Sequence, residues 1–148
     1  MNPKDLFQYI SYLQYPLMLI ALFYSIKPMV FGFETIWDDY NNLLMFMGLA
    51  ISFSTLQDTT KTQNKISQRV WENPTYGKIT IGVLLFTTFL LLAIGITGLY
   101  AAKDSVLKNL SMGVIVLGLG MIGMAKAMLE MFENHRLDKK EIPNQSYQ

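Results

Sequence analysis

Three glycines near the C-terminus, Gly118, Gly120 and Gly123, have the G-x-G-x-x-G spacing of proteins that bind dinucleotides. The apolar run at 114–117 precedes them, as the first strand of such a site would. That site also needs a second strand that ends in an acidic residue about 20 residues later. Glu141 stands 18 residues after Gly123, but the residues between them have a helical and then a polar pattern. We therefore expect no nucleotide cofactor and interpret the glycines as helix-packing positions, with Gly118 off the face shared by the other two.

Residue types that commonly catalyse reactions or bind metals are scarce. The chain has no cysteine, which excludes disulfides, thiolate metal ligands and thiol catalysis. Its one histidine, His135, lies in the polar C-terminal region. Asp38 and Asp39 are adjacent, but acids at the start of a helix are favoured by the helix dipole. The sequence predicts no catalytic site, no metal site and no cofactor. An enzyme acting on lipid through these two acids is an alternative without a supporting histidine or basic cluster.

Long windows without charge organise the chain. Of its 148 residues 51% are hydrophobic and only 16% are charged, against about 25% charged in soluble domains. The windows lie between Asp5 and Lys27 (21 residues), Asp39 and Asp58 (18), Lys78 and Lys103 (24), and Lys108 and Lys126 (17). A helix needs roughly 20 mostly apolar residues to cross a bilayer. We predict an all-α integral membrane protein with four transmembrane helices, near 6–27, 40–58, 79–101 and 109–131, in one domain (1–136) followed by a polar tail (137–148).

The distribution of Lys and Arg predicts the orientation. With four crossings, eight of these residues fall on the side of the termini and the central segment. They are Lys4, Lys61, Lys65, Arg69, Lys78, Arg136, Lys139 and Lys140. The other side has Lys27, Lys103 and Lys108. Because basic residues accumulate in cytoplasmic loops, we expect both termini in the cytoplasm and the protein in the cell (inner) membrane.

The connections between the helices predict two antiparallel hairpins. Residues 103–108 form a tight turn between helices three and four. Pro28 is expected to end helix one, because proline cannot continue the backbone hydrogen-bond ladder. Helix two is expected to extend past the membrane as a polar stalk within 58–78. Asn73 and Pro74 break that pattern and start helix three.

The central segment 58–78 has few apolar residues, namely Ile66, Val70 and Trp71. We expect this apolar face to be too small to pack strongly by itself. One interpretation is a solvated connector that Trp71 anchors at the membrane interface. The other is a polar docking surface for the cytoplasmic helices of a partner.

Polar residues within the predicted spans are candidate intramembrane contacts. Helix one carries Tyr12, Gln14 and Tyr15, followed by Pro16, which should kink it. Gln14 must find a polar partner because lipid offers none. That partner is either another helix of the same bundle or a ligand, ion or partner protein on a polar lining.

Lys126 is the one charge expected to lie within the bilayer, and Glu130 follows one turn later near the predicted cytoplasmic end of helix four. A lysine near a helix end can extend its ammonium group to the headgroups, where Glu130 could pair with it. The alternative is a functional buried cation. No Asp or Glu lies deep in any window, which argues against a stand-alone proton-coupled exporter.

Two of the predicted helices have a face lined by small residues. Gly113 and Gly120 are seven residues apart and share a face, which Gly123 continues. Gly95 and Gly98 lie in the half of helix three that should meet the start of helix four, near Gly113. Since small residues let membrane helices approach closely, we predict that these five glycines pack helices together.

These features favour a non-catalytic accessory or structural subunit of a larger membrane complex. One version is an ion-driven envelope motor or an energy-transducing assembly, which the chain would brace without carrying protons. The alternative is a small oligomeric transporter or channel lined near Gln14 and Tyr15. The expected partners are the lipid bilayer and other membrane subunits or further copies of the chain. Because the net charge is only +1, we expect no nucleic-acid partner.

Overall fold

The computed structural model describes residues 3–59 and 65–139, and over these ranges the regular structure is entirely helical. The helices are α1 (Pro3–Ser11), α2 (Gln14–Phe31), α3 (Ile36–Ser54), α4 (Lys65–Glu72), α5 (Pro74–Ala101) and α6 (Ser105–His135), followed by a 3-10 turn (Leu137–Lys139). The all-α prediction is confirmed for this part of the chain. Predictions for Lys61, Lys140, Glu141 and the rest of the polar tail lie outside the described residues.

Three helical segments of the described chain are long and apolar enough to cross a membrane. They are Asp5–Phe31, Pro74–Ala101 and Ser105–His135. α3 is not among them, because its first two turns carry Asp38, Asp39, Asn41 and Asn42. The structure therefore supports a helical membrane protein with three candidate spans, corresponding to predicted helices one, three and four.

The first of these segments is broken between α1 and α2. At the break the N–H of Leu13 donates to the carbonyl of Ile10 at 3.1 Å, and the N–H of Tyr15 to that of Tyr12 at 3.1 Å. These i to i−3 bonds tighten the chain where Pro16, in the first turn of α2, has no N–H to donate. The kink predicted from Pro16 thus lies about one turn before it.

The predicted end of helix one at Pro28 is wrong. α2 continues to Phe31 and ends at Gly32, which has φ of 101° and donates its N–H to the Pro28 carbonyl at 3.2 Å. Proline removes one hydrogen bond from the last turn but leaves its own carbonyl available. The positive φ of Gly32, which favours glycine, turns the chain out of the helix.

The predicted cytoplasmic extension of helix two is also wrong. α3 ends at Ser54, and α4 is a separate helix that begins at Lys65. The side chain of Asn73 then caps α5 by accepting from the backbone N–H groups of Thr75 and Tyr76 at 3.0 and 3.3 Å. α5 therefore starts at Pro74, as the Asn-Pro pair predicts.

α4 packs against its own chain. Trp71 is buried with Ile81 of α5 and Phe132 of α6. Val70, Met128 and Met131 cover this cluster. The indole N–H of Trp71 donates to Ser67 Oγ at 2.8 Å. The expectation that the central segment has too little apolar surface to pack strongly is therefore wrong. Trp71 and Val70 are sufficient because α5 and α6 contribute the other apolar residues of the cluster.

The four long helices form one layer in the order α2, α3, α6, α5. α2 buries one narrow stripe, Gln14, Ala21 and Pro28, and α5 buries another, Gly77, Ile81, Thr88 and Gly95. α3 packs on opposite sides against its two neighbours, with Gly48 towards α6 and Asp39 towards α2. α2 and α5 are therefore the edges of the layer, and α3 and α6 are its centre.

α2 and α3 run antiparallel, as do α5 and α6, whereas the central helices α3 and α6 run parallel, with Asn41 beside Gly113 and Gly48 beside Gly120. α5 and α6 are joined by residues 102–104 only, and Asp104 caps α6 by accepting from the N–H of Val106 at 3.4 Å. The predicted hairpin of helices three and four is confirmed, with α6 starting inside the predicted turn. We call the end of the layer with loops 32–35 and 102–104 the hairpin end. The opposite end, with α1, α4 and His135, is the termini end.

Candidate functional site

The centre of the layer is a direct backbone contact between α3 and α6. A Cβ atom added to Gly120 would overlap the carbonyl oxygen of Gly48. One added to Gly48 would lie 2.5 Å from the carbonyl oxygen of Val116. Because no side chain larger than hydrogen fits on either side, this crossing fixes how α3 and α6 meet. Sequence reasoning identified Gly120 but missed Gly48, whose signal was a single glycine in an apolar helix next to Leu49 and Ala50.

The same interface continues to the hairpin end through a polar contact. The Asn41 side chain accepts a hydrogen bond from the backbone N–H of Gly113 at 2.8 Å. A Cβ on Gly113 would lie 2.7 Å from the Asn41 carbonyl oxygen. Towards the termini end, a Cβ on Gly123 would lie 3.3 Å from Thr55. All three of these glycines, at positions 113, 120 and 123, therefore face α3. The prediction that Gly113 packs against predicted helix three, which is α5 in the structure, is wrong.

The interface of α5 with α6 uses other small residues. Gly95 and Gly98 both lie against Ser111, and a Cβ on Gly95 would also be 2.7 Å from Ile115 Cγ1. Gly118 faces α5, where an added Cβ would be 2.7 Å from Leu92 Cδ2. The three glycines of the G-x-G-x-x-G stretch thus serve two interfaces on opposite sides of α6.

A partly buried ion pair joins α2 to α3 at the hairpin end. Lys27 Nζ lies 2.6 Å from Asp39 Oδ1, and Thr35 donates its hydroxyl to Asp39 Oδ2 at 2.9 Å. The Asp39 side chain is 2% exposed. Lys27 also lies 5.8 Å from the centre of the Tyr24 ring, which stacks on Phe46 at 5.7 Å. Sequence reasoning treated Asp39 as a cap residue or as a candidate enzyme acid and missed the ion pair, because its partner Lys27 stands twelve positions away in another helix.

The polar residues predicted in helix one separate into two groups. Tyr12 and Tyr15 are exposed and stack on each other with ring centres 6.2 Å apart. Gln14, on the other side of the helix, is only 7% exposed. The tyrosines therefore line no interior site in one chain, and Gln14 alone points into the protein.

Lys126 and Glu130 lie on the exposed side of α6. Their side chains are 79% and 49% exposed, and Lys126 Nζ is 3.5 Å from Glu130 Oε1. This is the helical pairing expected from the spacing of four residues, and the contact is longer than a strong ion pair. The arrangement is compatible with a lysine that extends to the headgroups and does not form a buried cation site.

A second set of ion pairs lies at the C-terminal end of α6. Arg136 donates to Asp138 at 2.6 Å and to Glu133 at 2.9 Å, and its guanidinium lies 5.2 Å from the centre of the Phe132 ring. The hydrogen bonds to Asp138 and Glu133 raise the pKa of Arg136 above its usual value. The hydrogen bond from Arg136 in turn lowers the pKa of Asp138. Both effects favour the charged forms at the surface.

A cavity of about 320 Å³ lies at the termini end, between α2, α3, α4 and α6. Its polar lining consists of Gln14, Ser54, Thr55, Gln57, Asp58, Thr59 and Ser67. Its apolar lining consists of Trp71, Met124, Ala127, Met128 and Met131. The sequence analysis named Gln14 alone among these residues, because the others converge from four helices and adjoining turns.

Comparison of the chain with protein-family models, with curated proteins and with solved structures found no match. The functional argument therefore rests on three features of the molecule. They are the close crossing of α3 and α6, the single layer of helices that this crossing holds together, and the cavity at the termini end.

Proposed function

We propose that this protein crosses the membrane four times and acts as a non-catalytic accessory or structural subunit of a larger membrane complex. The observation that carries the proposal is the single layer of helices. Such a layer has two broad faces and almost no interior, so its central helices are open on both sides. Other membrane helices can cover these faces in a complex.

The position of α3 supports a fourth crossing. Its 19 residues give a length of roughly 28 Å, close to the ~30 Å thickness of the hydrocarbon core. It lies between α2 and α6, both part of candidate spans, and runs antiparallel to α2 and parallel to α6. Asp39 and Asn41 turn towards those helices and find partners there. Low hydropathy is tolerable in a helix whose polar groups are satisfied by its neighbours.

The charge distribution supports both termini in the cytoplasm. With α3 as a span, eight of the Lys and Arg residues of the sequence fall on the same side of the membrane as the termini and three on the other side. A reporter enzyme that is active only outside the cytoplasm, fused after Gln148, should therefore be inactive. A fusion within loop 102–104 is the matched control and should be active. The reverse pattern would contradict the proposed orientation.

Exposed apolar residues on α3 support partner contacts on the broad faces. Met47 and Leu49 point to opposite sides of the layer and are 42% and 40% exposed, although α3 is a central helix. A single layer encloses no path along its axis, so a channel would require several copies. This favours a bracing role, for example beside an ion-driven envelope motor or an energy-transducing complex, over transport by one chain.

Site-specific photo-cross-linking tests the subunit proposal. The photoreactive residue p-benzoylphenylalanine is introduced at Met47 or Leu49, with Phe86 on the outer edge of α5 (71% exposed) as the control position. Cells are irradiated, and the chain is then purified in mild detergent. We expect a discrete cross-linked protein from position 47 or 49 and none from 86.

Two outcomes would contradict the proposal. One is a monomer without co-purifying protein and without cross-links at positions 47 and 49. The other is solute or ion flux through proteoliposomes that contain only this chain, which would support an oligomeric transporter or channel.

A further inference from the structure

Three methionines of α6 line the termini-end cavity together. Met124, Met128 and Met131 stand at spacings of four and three residues, so their side chains follow one face of the helix. Side chains at these spacings have Cβ atoms about 5–6 Å apart. Methionine is unbranched and has three rotatable bonds. Neighbouring thioether sulfurs on this face can therefore converge on one atom in the cavity.

A contact with α4 shows where the Met131 sulfur points. The Ser67 hydroxyl lies 4.0 Å from Met131 Sδ, and the indole N–H of Trp71 donates to the same Ser67 oxygen at 2.8 Å. The sulfur of Met131 therefore faces α4, where Ser67 and Trp71 line the cavity. A thioether sulfur is only a weak hydrogen-bond acceptor, so a contact of this length leaves it available to a ligand.

The chemistry of sulfur decides what these side chains can bind. A thioether is a neutral, polarisable ligand, and sulfur ligands select soft ions such as copper(I). Hard ions such as Mg²⁺ and Ca²⁺ prefer oxygen ligands. The chain has no cysteine, so methionine is its only source of sulfur. The preference for a soft ion therefore rests on the sulfur atoms and not on the charge of the cavity lining.

An aromatic side chain of the same cavity suits a cation at this position. Trp71 lines the cavity and is 5% exposed. Met128 and Met131 pack against the cluster to which it belongs. Aromatic rings attract cations within about 6 Å of the ring centre, and tryptophan does so most strongly. A cation held by these methionines therefore gains a second favourable neighbour in the indole.

We propose that Met124, Met128 and Met131 bind one copper(I) ion through their thioether sulfurs, on the α6 side of the termini-end cavity. Met128 supplies the central sulfur, and its two neighbours complete a three-sulfur site. The expectation of no metal site, drawn from cysteine and histidine, does not cover methionine sulfur. The site lies within one chain, so this inference goes beyond the proposed subunit role and does not depend on it.

The fluorescence of Trp71 provides a direct test. In a Trp37→Phe background Trp71 is the sole tryptophan of the chain. The full-length protein in detergent is titrated with silver nitrate in chloride-free buffer, because silver(I) shares the charge and sulfur preference of copper(I) and does not oxidise in air. Copper(I) is then titrated under anaerobic ascorbate. We expect saturable quenching by both ions at one ion per chain, and no change with Mg²⁺ or Ca²⁺ at the same concentrations.

Matched variants locate the ion. Met128→Leu and Met131→Leu remove sulfur at nearly constant apolar volume. Each should weaken the apparent silver affinity by about tenfold or more, the loss that even an outer-shell partner of a metal site causes. Met29→Leu, at a position that is 79% exposed near the hairpin end, should keep the affinity. Unfolding midpoints are measured in parallel, and X-ray absorption of the copper(I) protein counts its sulfur neighbours without any variant.

Several results would overturn the proposal. An unchanged silver affinity in folded Met128→Leu and Met131→Leu would remove the methionines from the site. Loss of binding in His135→Gln, with both methionine variants unaffected, would place the ion on the imidazole one turn further along α6. Equal quenching by Mg²⁺ would assign the response to oxygen ligands. An absorption spectrum of the copper(I) protein without sulfur neighbours would exclude thioether coordination.

Discussion

The backbone contact of α3 with α6 makes Gly120 the position where a single methyl group should have the clearest consequence. In Gly120→Ala the new Cβ would overlap the Gly48 carbonyl oxygen and lie 3.0 and 3.1 Å from Gly48 C and Cα. Ordinary contacts of this kind begin at 3.4 Å. The obstructing atoms belong to the backbone of a helix, so no side-chain rotation can relieve the overlap, and the two helices must separate.

The magnitude follows from two opposing effects. Overpacking of a well-packed interface costs typically about 1–3 kcal/mol. Replacing glycine by alanine in a helix returns up to about 1 kcal/mol of helix propensity. We therefore expect Gly120→Ala to lower the free energy of unfolding by up to about 2 kcal/mol. Gly120→Leu should prevent the native packing of α3 and α6 altogether.

Gly82 is the matched control, because a Cβ added there would meet no described heavy atom within 4 Å. Gly82→Ala should leave the free energy of unfolding unchanged or raise it by up to about 1 kcal/mol. Both variants are unfolded with sodium dodecyl sulfate in mixed micelles and followed by circular dichroism. Equal midpoints for Gly120→Ala and Gly82→Ala would refute the close crossing as a determinant of the fold.

Three further predictions concern charged groups. Asp39→Asn should lower the unfolding midpoint clearly more than Asp38→Asn, because it removes the buried partner of an ion pair at 2.6 Å; equal midpoints would contradict this. Lys126→Met should change the free energy of unfolding by less than about 0.5 kcal/mol, and a large loss would indicate a buried cation. The Arg136 hydrogen bond lowers the pKa of Asp138. The pairing therefore stabilises the folded protein fully at pH values above the ordinary Asp pKa of about 4, and this stabilisation is lost as the pH falls through the lowered pKa of Asp138. A ¹³C NMR titration should place the Asp138 midpoint lower in the native chain than in Arg136→Gln.

The layer arrangement has a consequence for how this protein is held together. Its fully buried apolar side chains are few, and large exposed apolar residues occur along all four long helices. In lipid such exposure is favourable, so association between helices depends on close packing and on polar contacts. Gly48 with Gly120, Asn41 with Gly113, and the Lys27 ion pair supply these contacts.

The amino-acid sequence by itself determined the helical class and the extent of the apolar spans. The thickness of the bilayer imposes a length and a lack of charge on each crossing segment, and both can be counted along the chain. The same logic locates α5 and α6 and the hairpin between them. It is weakest for α3, whose polar residues are satisfied by neighbouring helices and so do not need to be absent.

The tertiary structure decided which faces meet. Gly113 was expected against predicted helix three, which is α5 in the structure, but it lies against α3. Which neighbour a glycine of α6 packs against depends on a complementary residue far away in sequence. Asp39 became part of an ion pair only because α2 returns Lys27 to it. Gln14 and Tyr15 are adjacent and both carry a polar group, yet Gln14 is buried at a cavity and Tyr15 is exposed. The sequence shows which glycines and polar side chains are present, but only the packing of helices that are distant in sequence determines what surrounds each of them.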